Sequence, residues 1–282
     1  MSVAESLALP PAAAAFDAVA PAFDVRFGAW LSVAAQRRAV RRELLRAFPA
    51  GASVLELGGG TGEDAAFLAD RGRRVLLTDA SPAMVEIAAA KLADRIAPAS
   101  AEVWPAEAME ALADEREAAD RPPFDGAFSN FAGLNCVSDL RPVARGLARL
   151  LRPGAQALLV LFGPFPPGEV VVELARRNPR AAVRRLARGD VAARLGGRNF
   201  TVRYHRPRDV ARAFSPWFRL RRTRGIGVFV PPSAAEPWIS RHPRLVSALE
   251  ALDRAAAAPL ARLGDHLLFH LERTGAPSPE AR

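Results

Sequence analysis

The chain has 282 residues, of which 50% are hydrophobic and 24% are charged, a balance that excludes wholesale disorder and permits one or two globular domains. Cys136 is the only cysteine, which excludes an intrachain disulfide and a cysteine cluster for a metal, and favours a reducing, cytoplasmic location. The net charge of +9 is carried almost wholly by arginine, since Lys91 is the only lysine. This charge permits an anionic partner, but arginine spread over solvated helix faces explains it more simply.

The first 24 residues are rich in alanine and proline and contain a doubled phrase, Phe16–Asp17 and Phe23–Asp24. They lack the positively charged start of a secretory signal. The longest apolar run, residues 157–162, is far shorter than the roughly 18 residues of a membrane span. We therefore expect neither a secretory signal nor a membrane-spanning helix.

From residue 30 to residue 162, helix and strand signals alternate along the chain. The near-continuous apolar strands are typical of strands covered on both faces, and the alternation indicates βαβ units and a mostly parallel sheet. Ser81 followed by Pro82 predicts a helix start. The predicted helices lie at 30–48, 63–71, 81–96, 107–118 and 140–151, and the predicted strands at 53–57, 74–78, 101–104, 124–129 and 156–162.

After residue 162 this rhythm changes. A proline-rich loop is followed by an arginine-rich segment that is predicted to be helical from Glu169 to Arg194. The remaining chain predicts strands at 200–204, 218–230 and 266–271, helices at 207–214 and 243–263, and a frayed tail at 275–282.

The strongest functional signal is the glycine cluster at 58–62, which follows the first predicted strand and opens a helix. Glycine lets the backbone approach a ligand closely, and the helix start offers free N–H groups. Asp79 ends the second strand, where a carboxylate can accept both ribose hydroxyls of a nucleoside. A dinucleotide is disfavoured because Glu63 stands where the third glycine of its fingerprint is needed. Glu56, beside the loop, suits a cationic amino or sulfonium group.

These residues resemble the class I S-adenosylmethionine-dependent methyltransferases. Four motifs occur in the order of that family: the E-x-G-x-G-x-G pattern at 56–62, the acidic motif at 79–84, the fourth-strand motif at 124–130 and the turn at 150–154. The resemblance implies an α/β fold with a seven-stranded, doubly wound Rossmann-like sheet and helices on both faces. It also implies an N-terminal helical lid and a helical insertion after the fifth strand.

The same resemblance implies that S-adenosylmethionine is the cofactor and S-adenosylhomocysteine the product. Glu56 would contact the methionine amino group, Asp79 the ribose and Met84 the adenine, while Glu107 stands where the family usually has an aspartate. Phe16 and Phe23 resemble a lid over the cofactor. The residues implied to bind the cofactor are Glu56, Gly58, Gly59, Gly60, Asp79, Ala80, Met84, Glu107, Asn130 and Phe131.

Methyl transfer needs a general base only where the acceptor must lose a proton. Tyr204 and His205 precede a predicted helix beyond the fifth strand, so we expect Tyr204 to face the substrate and His205 to be the candidate base. His266 and His270 lie four apart in the last strand, project to the same side and are predicted to be structural. The chain has no HExxH motif and no carboxylate–histidine cluster, so we expect no metal.

The sequence thus predicts an enzyme that methylates oxygen, nitrogen or carbon of a small molecule by in-line transfer. An RNA or protein methyltransferase stays open because of the charge, although the arginine-rich segment 176–198 lacks interleaved aromatic residues, which disfavours nucleic acid. A non-catalytic binding scaffold and a nicotinamide dehydrogenase are further alternatives, and monomer and homodimer are both open. The expected parts are a lid and helix at 1–48, a cofactor-binding core at 49–163, a helical cap at 164–200, substrate-facing elements at 201–274 and a tail at 275–282.

Overall fold

The computed structural model describes residues 9–256 and 259–277, and its main feature is a seven-stranded sheet. The described residues form nine strands, and all of them except β6 and β7 belong to this sheet. The strands are β1 (Ser53–Leu57), β2 (Arg74–Asp79), β3 (Ala99–Val103), β4 (Phe124–Ser129), β5 (Leu151–Phe162), β6 (Asp190–Leu195), β7 (Arg198–Arg203), β8 (Phe218–Ile226) and β9 (His266–Arg273). The sheet order is β3-β2-β1-β4-β5-β9-β8. Strands β1 to β5 pair in parallel, whereas β9 runs antiparallel to β5 and to β8. The predicted α/β fold is confirmed.

Helices cover both faces of this sheet, because successive residues of the buried strands point to opposite sides. On β1, Val54 packs with residues of α3, α4 and α5, whereas Leu55 packs with residues of α6, α7 and α10. Helix α11 packs against the outer side of α3. The helices are α1 (Pro11–Asp17), α2 (Ala20–Gly28), α3 (Leu31–Ala47), α4 (Glu63–Ala69), α5 (Pro82–Leu92), α6 (Met109–Ala118), α7 (Arg141–Leu150), α8 (Pro167–Ala175), α9 (Pro179–Val183), α10 (Pro207–Phe214) and α11 (Pro243–Ala256).

A buried carboxylate fastens α3 to the antiparallel edge of the sheet. Glu43 is only 1% exposed and lies 2.9 Å from Arg222 and 3.8 Å from Arg224, both on β8. His270 of β9 lies 3.5 Å from the same carboxylate. Burial, together with Arg222, lowers the pKa of His270 to about 4, although Glu43 opposes the shift. The imidazole is therefore neutral at physiological pH.

The prediction of one helix from Glu169 to Arg194 is correct only in its first half. Helices α8 and α9 are followed by the hairpin β6–β7, which forms a separate two-stranded sheet. The turn is Gly196–Gly197, and both residues have positive φ, of 56° and 78°. Paired glycines at positive φ suit the tight turns that join antiparallel strands. The Gly196–Gly197 pair therefore indicates a hairpin at a place where the helical spacing of apolar residues had predicted a helix.

Smaller differences concern element ends. The helix predicted to end near Ile96 ends at Leu92, and the one predicted for 243–263 ends at Ala256. The end of the predicted tail, 278–282, lies outside the described residues. Among the helices that the structure describes, none combines the length and apolar character needed to cross a membrane.

Candidate active site

The strand order reverses between β1 and β4, and open α/β sheets bind ligands at such a position. Helix α4 follows β1 on one face, and α7 follows β4 on the other, which leaves a crevice between them. A cavity of 430 Å³ opens at the carboxyl ends of these strands and extends to the start of β9. Helices α1 and α2 contribute apolar side chains to its outer wall.

The glycine loop after β1 is held against the end of β2 by one carboxylate. The backbone N–H of Gly60 donates to Asp79 Oδ2 at 2.9 Å, and that of Ser81 donates to Asp79 Oδ1 at 2.9 Å. Gly60 has φ of 56°, and a Cβ at Gly59 would lie 2.5 Å from the Leu77 side chain, so both positions require glycine. Burial raises the pKa of Asp79 despite these hydrogen bonds.

Glu56 lines the cavity and has an unsatisfied oxygen. The residue is 2% exposed, and its Oε2 has no hydrogen-bond partner within residues 9–256 and 259–277. Burial and the neighbouring carboxylate of Asp64 raise its pKa well above the usual value. A buried acceptor of this kind is costly unless a ligand satisfies it. An ammonium group of a ligand would supply both the missing donor and the opposite charge.

Asp64 is a buried site residue that the sequence analysis missed. It accepts hydrogen bonds from Arg41 at 2.6 Å and from the Asn130 side chain at 2.7 Å, and Arg37 lies 3.8 Å away. Its side chain thereby ties α4 to α3 and to the end of β4 beneath the cavity. The available signal was an acidic residue in the first turn of the helix after the glycine loop.

The end of β4 carries unusual backbone geometry. Phe131 and Ala132 have φ of 51° and 62°, a region that residues other than glycine rarely occupy. Phe131 is held there by a hydrogen bond from its N–H to the side-chain oxygen of Asn130 at 2.8 Å. The guanidinium of Arg37 lies 4.9 Å from the centre of the Phe131 ring. Backbone strain of this kind is concentrated at functional sites.

The far side of the cavity is bordered by Met84, Trp104 and Glu107. Ser81 caps α5 as predicted, because its side chain accepts the N–H of Met84 at 3.2 Å. Burial, with Glu107 and Asp79 nearby, raises the pKa of Cys136 to about 12. Cys136 is therefore a protonated thiol in the cavity wall.

The doubled Phe–Asp phrase fastens the N-terminal helices over the cavity. Phe16 and Phe23 line the cavity, with ring centres 6.4 Å apart. Asp17 accepts hydrogen bonds from the Ser81 hydroxyl at 2.8 Å and from a backbone N–H of α5 at 2.9 Å. Asp24 accepts the hydroxyl of Thr61 at 2.6 Å and pairs with the chain's only lysine at 2.8 Å. Each phenylalanine thus faces the cavity while the next residue anchors the helix.

The structure brings together all ten residues proposed from the sequence to hold a cofactor. Each of them lines the same cavity, and their individual contacts to a cofactor remain predictions. These residues are Glu56, Gly58, Gly59, Gly60, Asp79, Ala80, Met84, Glu107, Asn130 and Phe131.

The residues proposed to serve the acceptor are placed differently. His205 does not line this cavity, since its Nε2 bonds the carbonyl of Val137 at 2.8 Å and its ring borders another depression. Tyr204 packs behind Phe162, with ring centres 5.8 Å apart, and also borders that depression. His266, expected to be structural, instead lines the cavity. No local sequence signal marks this role of His266, because its neighbours come from distant parts of the chain.

The sheet order, the glycine loop and the two carboxylates define a class I S-adenosylmethionine-dependent methyltransferase domain. Residues 54–154 match a family model described as a methyltransferase domain. The chain therefore carries a domain of this enzyme class, and S-adenosylmethionine is the cofactor of that domain. The orphaned oxygen of Glu56 fits the cofactor's ammonium group, and the glycine loop leaves space for its amino-acid part.

Comparison with solved structures shows the same fold in distant relatives. A SAM-dependent methyltransferase from Methanosarcina mazei is 16% identical, with 82% of this chain and 96% of that chain covered and a TM-score of 0.52. An S-adenosylmethionine-dependent methyltransferase from Mesorhizobium loti is 18% identical, with 84% and 98% covered and a TM-score of 0.50. Geranyl diphosphate C-methyltransferase from Streptomyces coelicolor, solved with S-adenosyl-L-homocysteine, is 14% identical, with 84% and 76% covered and a TM-score of 0.50. No curated protein matches the chain.

Proposed function

We propose that the protein transfers a methyl group from S-adenosylmethionine to a small molecule held in the inner part of the cavity. The observation that carries this proposal is the continuity of one cavity from the cofactor end, at Glu56 and Asp79, to an aromatic end at Phe131 and Phe162. Its volume of 430 Å³ falls within the roughly 300–1,000 Å³ usual for small-ligand sites. When bound, S-adenosylmethionine supplies an activated methyl group on a sulfonium sulfur.

In this proposal the chain positions the two reactants and excludes water, which is the main protein contribution to such a transfer. Glu56 holds the cofactor's ammonium group, and Asp79 accepts hydrogen bonds from its ribose. Residues 1–48 supply the lid, 49–163 the cofactor-binding core, and 164–200 with 201–274 the enclosure of the acceptor. A cytoplasmic location belongs to the same proposal, because the lone thiol of Cys136 suits a reducing compartment.

A small acceptor is favoured over RNA or protein by the way the cavity is enclosed. The rings of Phe16 and Phe23 lie across the cofactor end, and Phe16 also contacts Phe200 of the β6–β7 hairpin, with ring centres 6.1 Å apart. The arginines of the wall are neutralised locally, since Arg37 pairs with Asp64 and Arg185 with Asp265. A polymer would need an open, positively charged groove to place one residue beside the cofactor.

The test is to add the purified chain and [methyl-¹⁴C]S-adenosylmethionine to a heat-inactivated lysate that has not been desalted, and then to fractionate the mixture into small molecules, RNA and protein. We expect the purified chain to bind S-adenosylmethionine in calorimetry and to label the organic-soluble, small-molecule fraction. The matched control is Asp79→Ala, which should label no fraction. Label confined to RNA or protein, or absence of cofactor binding, would contradict the proposal.

A further inference from the structure

A buried polar cluster at the start of β9 lies outside the set of residues predicted to hold the cofactor. Its central members are Gln36 of α3, Asp265 and His266, which are 3%, 4% and 6% exposed. Arg185, after α9, donates to the Asp265 carboxylate at 2.7 Å and to its carbonyl at 2.6 Å. Arg185 also pairs with Glu169 of α8. All five side chains line the same cavity as the glycine loop.

The hydrogen bonds of this cluster fix the proton on His266. The carboxylate Oδ2 of Asp265 can only accept, so the group facing it at 3.1 Å is the NH₂ of Gln36. The carbonyl oxygen of Gln36 consequently faces Nδ1 of His266 at 3.0 Å. A carbonyl oxygen can only accept, so Nδ1 carries the hydrogen of the imidazole. The other nitrogen, Nε2, is then a lone-pair acceptor.

The surrounding charges keep Asp265 ionised and His266 neutral. Although burial acts to raise it, the pKa of Asp265 lies below its usual value because the charge of Arg185 and the hydrogen bonds from Gln36 and Arg185 favour the carboxylate. Burial lowers the pKa of His266, Arg185 lowers it further, and Asp265 opposes the change. The imidazole is thus neutral before reaction, and a proton gained at Nε2 would be stabilised by the carboxylate 3.5 Å from Nδ1.

Nε2 of His266 is available to a ligand. No group within residues 9–256 and 259–277 forms a hydrogen bond with it, and the ring lines the cavity. Phe162 stacks on the imidazole with ring centres 5.2 Å apart, and Phe131 meets it edge-on at 5.9 Å. Phe131 directly follows Asn130 at the end of β4. Its ring therefore lies between the cofactor end of the cavity and the imidazole of His266.

We propose that His266 is the general base of this enzyme and that it takes the proton from the hydroxyl of a phenolic acceptor. The acceptor oxygen forms the new bond to the methyl carbon, the methyl–sulfur bond breaks with its electron pair left on sulfur, and the O–H proton passes to Nε2. Gln36 and Asp265 are positioning residues, which orient the imidazole and set its tautomer. This inference rests on the proposed small-molecule methylation.

The walls of the acceptor end select this substrate class. Phe131 and Phe162, which both contact the ring of His266, offer flat apolar surfaces that suit an aromatic ring. Within the described ranges, the arginines that line the cavity each have a carboxylate partner, Arg37 with Asp64, Arg184 with Glu169 and Arg185 with Asp265. These pairs leave no spare positive charge for a phosphate or diphosphate. A neutral phenol meets both conditions.

The first part of the test determines the tautomer of His266 and does not require catalysis. In the full chain labelled with ¹⁵N-histidine, NMR should show His266 with a protonated Nδ1 and an unprotonated Nε2, assigned by loss of its signals in His266→Gln. Gln36→Leu should change the tautomer populations, whereas the matched control Gln156→Leu, on the exposed side of β5, should not. A wild-type His266 protonated on Nε2 would overturn the proposal.

The second arm compares phenol with 4-nitrophenol at a pH where the latter is already ionised. His266→Gln should lower methylation of phenol by about 100-fold or more, within the usual range for a general base, and that of nitrophenolate only a few-fold. S-adenosylmethionine affinity should stay unchanged. Equal losses on the two acceptors would overturn the role of base. Cofactor binding with labelled small molecules in lysate but no labelled phenol would overturn the phenolic acceptor and leave the proposed function standing.

Discussion

The two ends of the cavity are assembled from very different lengths of chain. At the cofactor end, the hydrogen bond between Gly60 and Asp79 joins residues 19 positions apart. At the acceptor end, the contacts of Gln36 with Asp265 and His266 join residues 229 and 230 positions apart. The first end forms within neighbouring βαβ units, whereas the second exists only after β9 has inserted beside β5.

The two ends of the cavity also differ in whether the fold stabilises the charge of their carboxylates. Burial raises the pKa of Asp79, so the fold disfavours its charge and a ligand must compensate. The pKa of Asp265 is lowered in spite of its burial, so the fold itself satisfies this carboxylate. One end therefore carries carboxylates whose charge the fold disfavours, and the other uses its charges to hold one imidazole in place. Substitutions of Asp79 and Asp265 test this contrast, and a substitution of His270 tests the electrostatics of the sheet edge beside it.

The largest effect is expected for Asp79→Ala on cofactor binding. Loss of two charge-assisted hydrogen bonds to the ribose should weaken S-adenosylmethionine binding by about 100-fold, measured by calorimetry. The exposed Asp94→Ala, also on the α5 side, is the control for lost negative charge and should bind normally. Unchanged affinity in Asp79→Ala would remove the ribose assignment.

A smaller effect is expected on the free energy of unfolding, measured in urea, when Asp265 and Asp79 are each replaced by asparagine. Asp265→Asn should lower the free energy of unfolding by about 2 kcal/mol, because the buried Arg185 loses a charged partner. Asp79→Asn should lower it by less, about 1 kcal/mol, because the amide nitrogen cannot accept one of the two backbone N–H groups, while the removal of a charge that the fold disfavours offsets part of that loss. Equal losses in the two variants would contradict the contrast between the ends.

The smallest effect concerns the antiparallel edge of the sheet. With a pKa of about 4 in the fold and an unfolded value near 6.5, His270 binds its proton more readily in the unfolded chain. This contribution to stability is present above pH 6.5 and is lost as the pH falls towards 4, by about 1–2 kcal/mol between pH 7 and pH 5. His270→Gln should flatten that part of the pH profile of unfolding. If His270→Gln left the pH profile of unfolding unchanged, the loss of stability in acid would arise from groups other than His270.

The cofactor end could be predicted from sequence because its signals are short and local. Glu56, the glycine cluster and Asp79 each stand at a strand end within one stretch of chain, and the fold class follows from the same alternation. The acceptor end carries no local signal. His266 lies in an apolar strand, and the glutamine that fixes its tautomer is 230 positions away.

The prediction for His205 rested on its place before the helix at 207–214, and that helix is present as α10. What was not predicted is the hairpin of residues 190–203, which carries His205 to the carbonyl of Val137. The Gly196–Gly197 pair was the one local indication of that turn. Long-range pairing, which decides where the hairpin lies, cannot be read from either strand alone.

The anchoring of the N-terminal helices has a consequence for cofactor exchange. The carboxylates of Asp17 and Asp24 accept hydrogen bonds from the start of α5 and from the hydroxyl of Thr61 in the glycine loop, and both of these segments border the cavity. Outward movement of Phe16 and Phe23 cannot occur without breaking these contacts. If these helices act as the proposed lid, their opening removes the Asp17 acceptor from the start of α5 and the Asp24 anchor from the glycine loop in the same event, so release of the product and weakening of its binding site would be coupled.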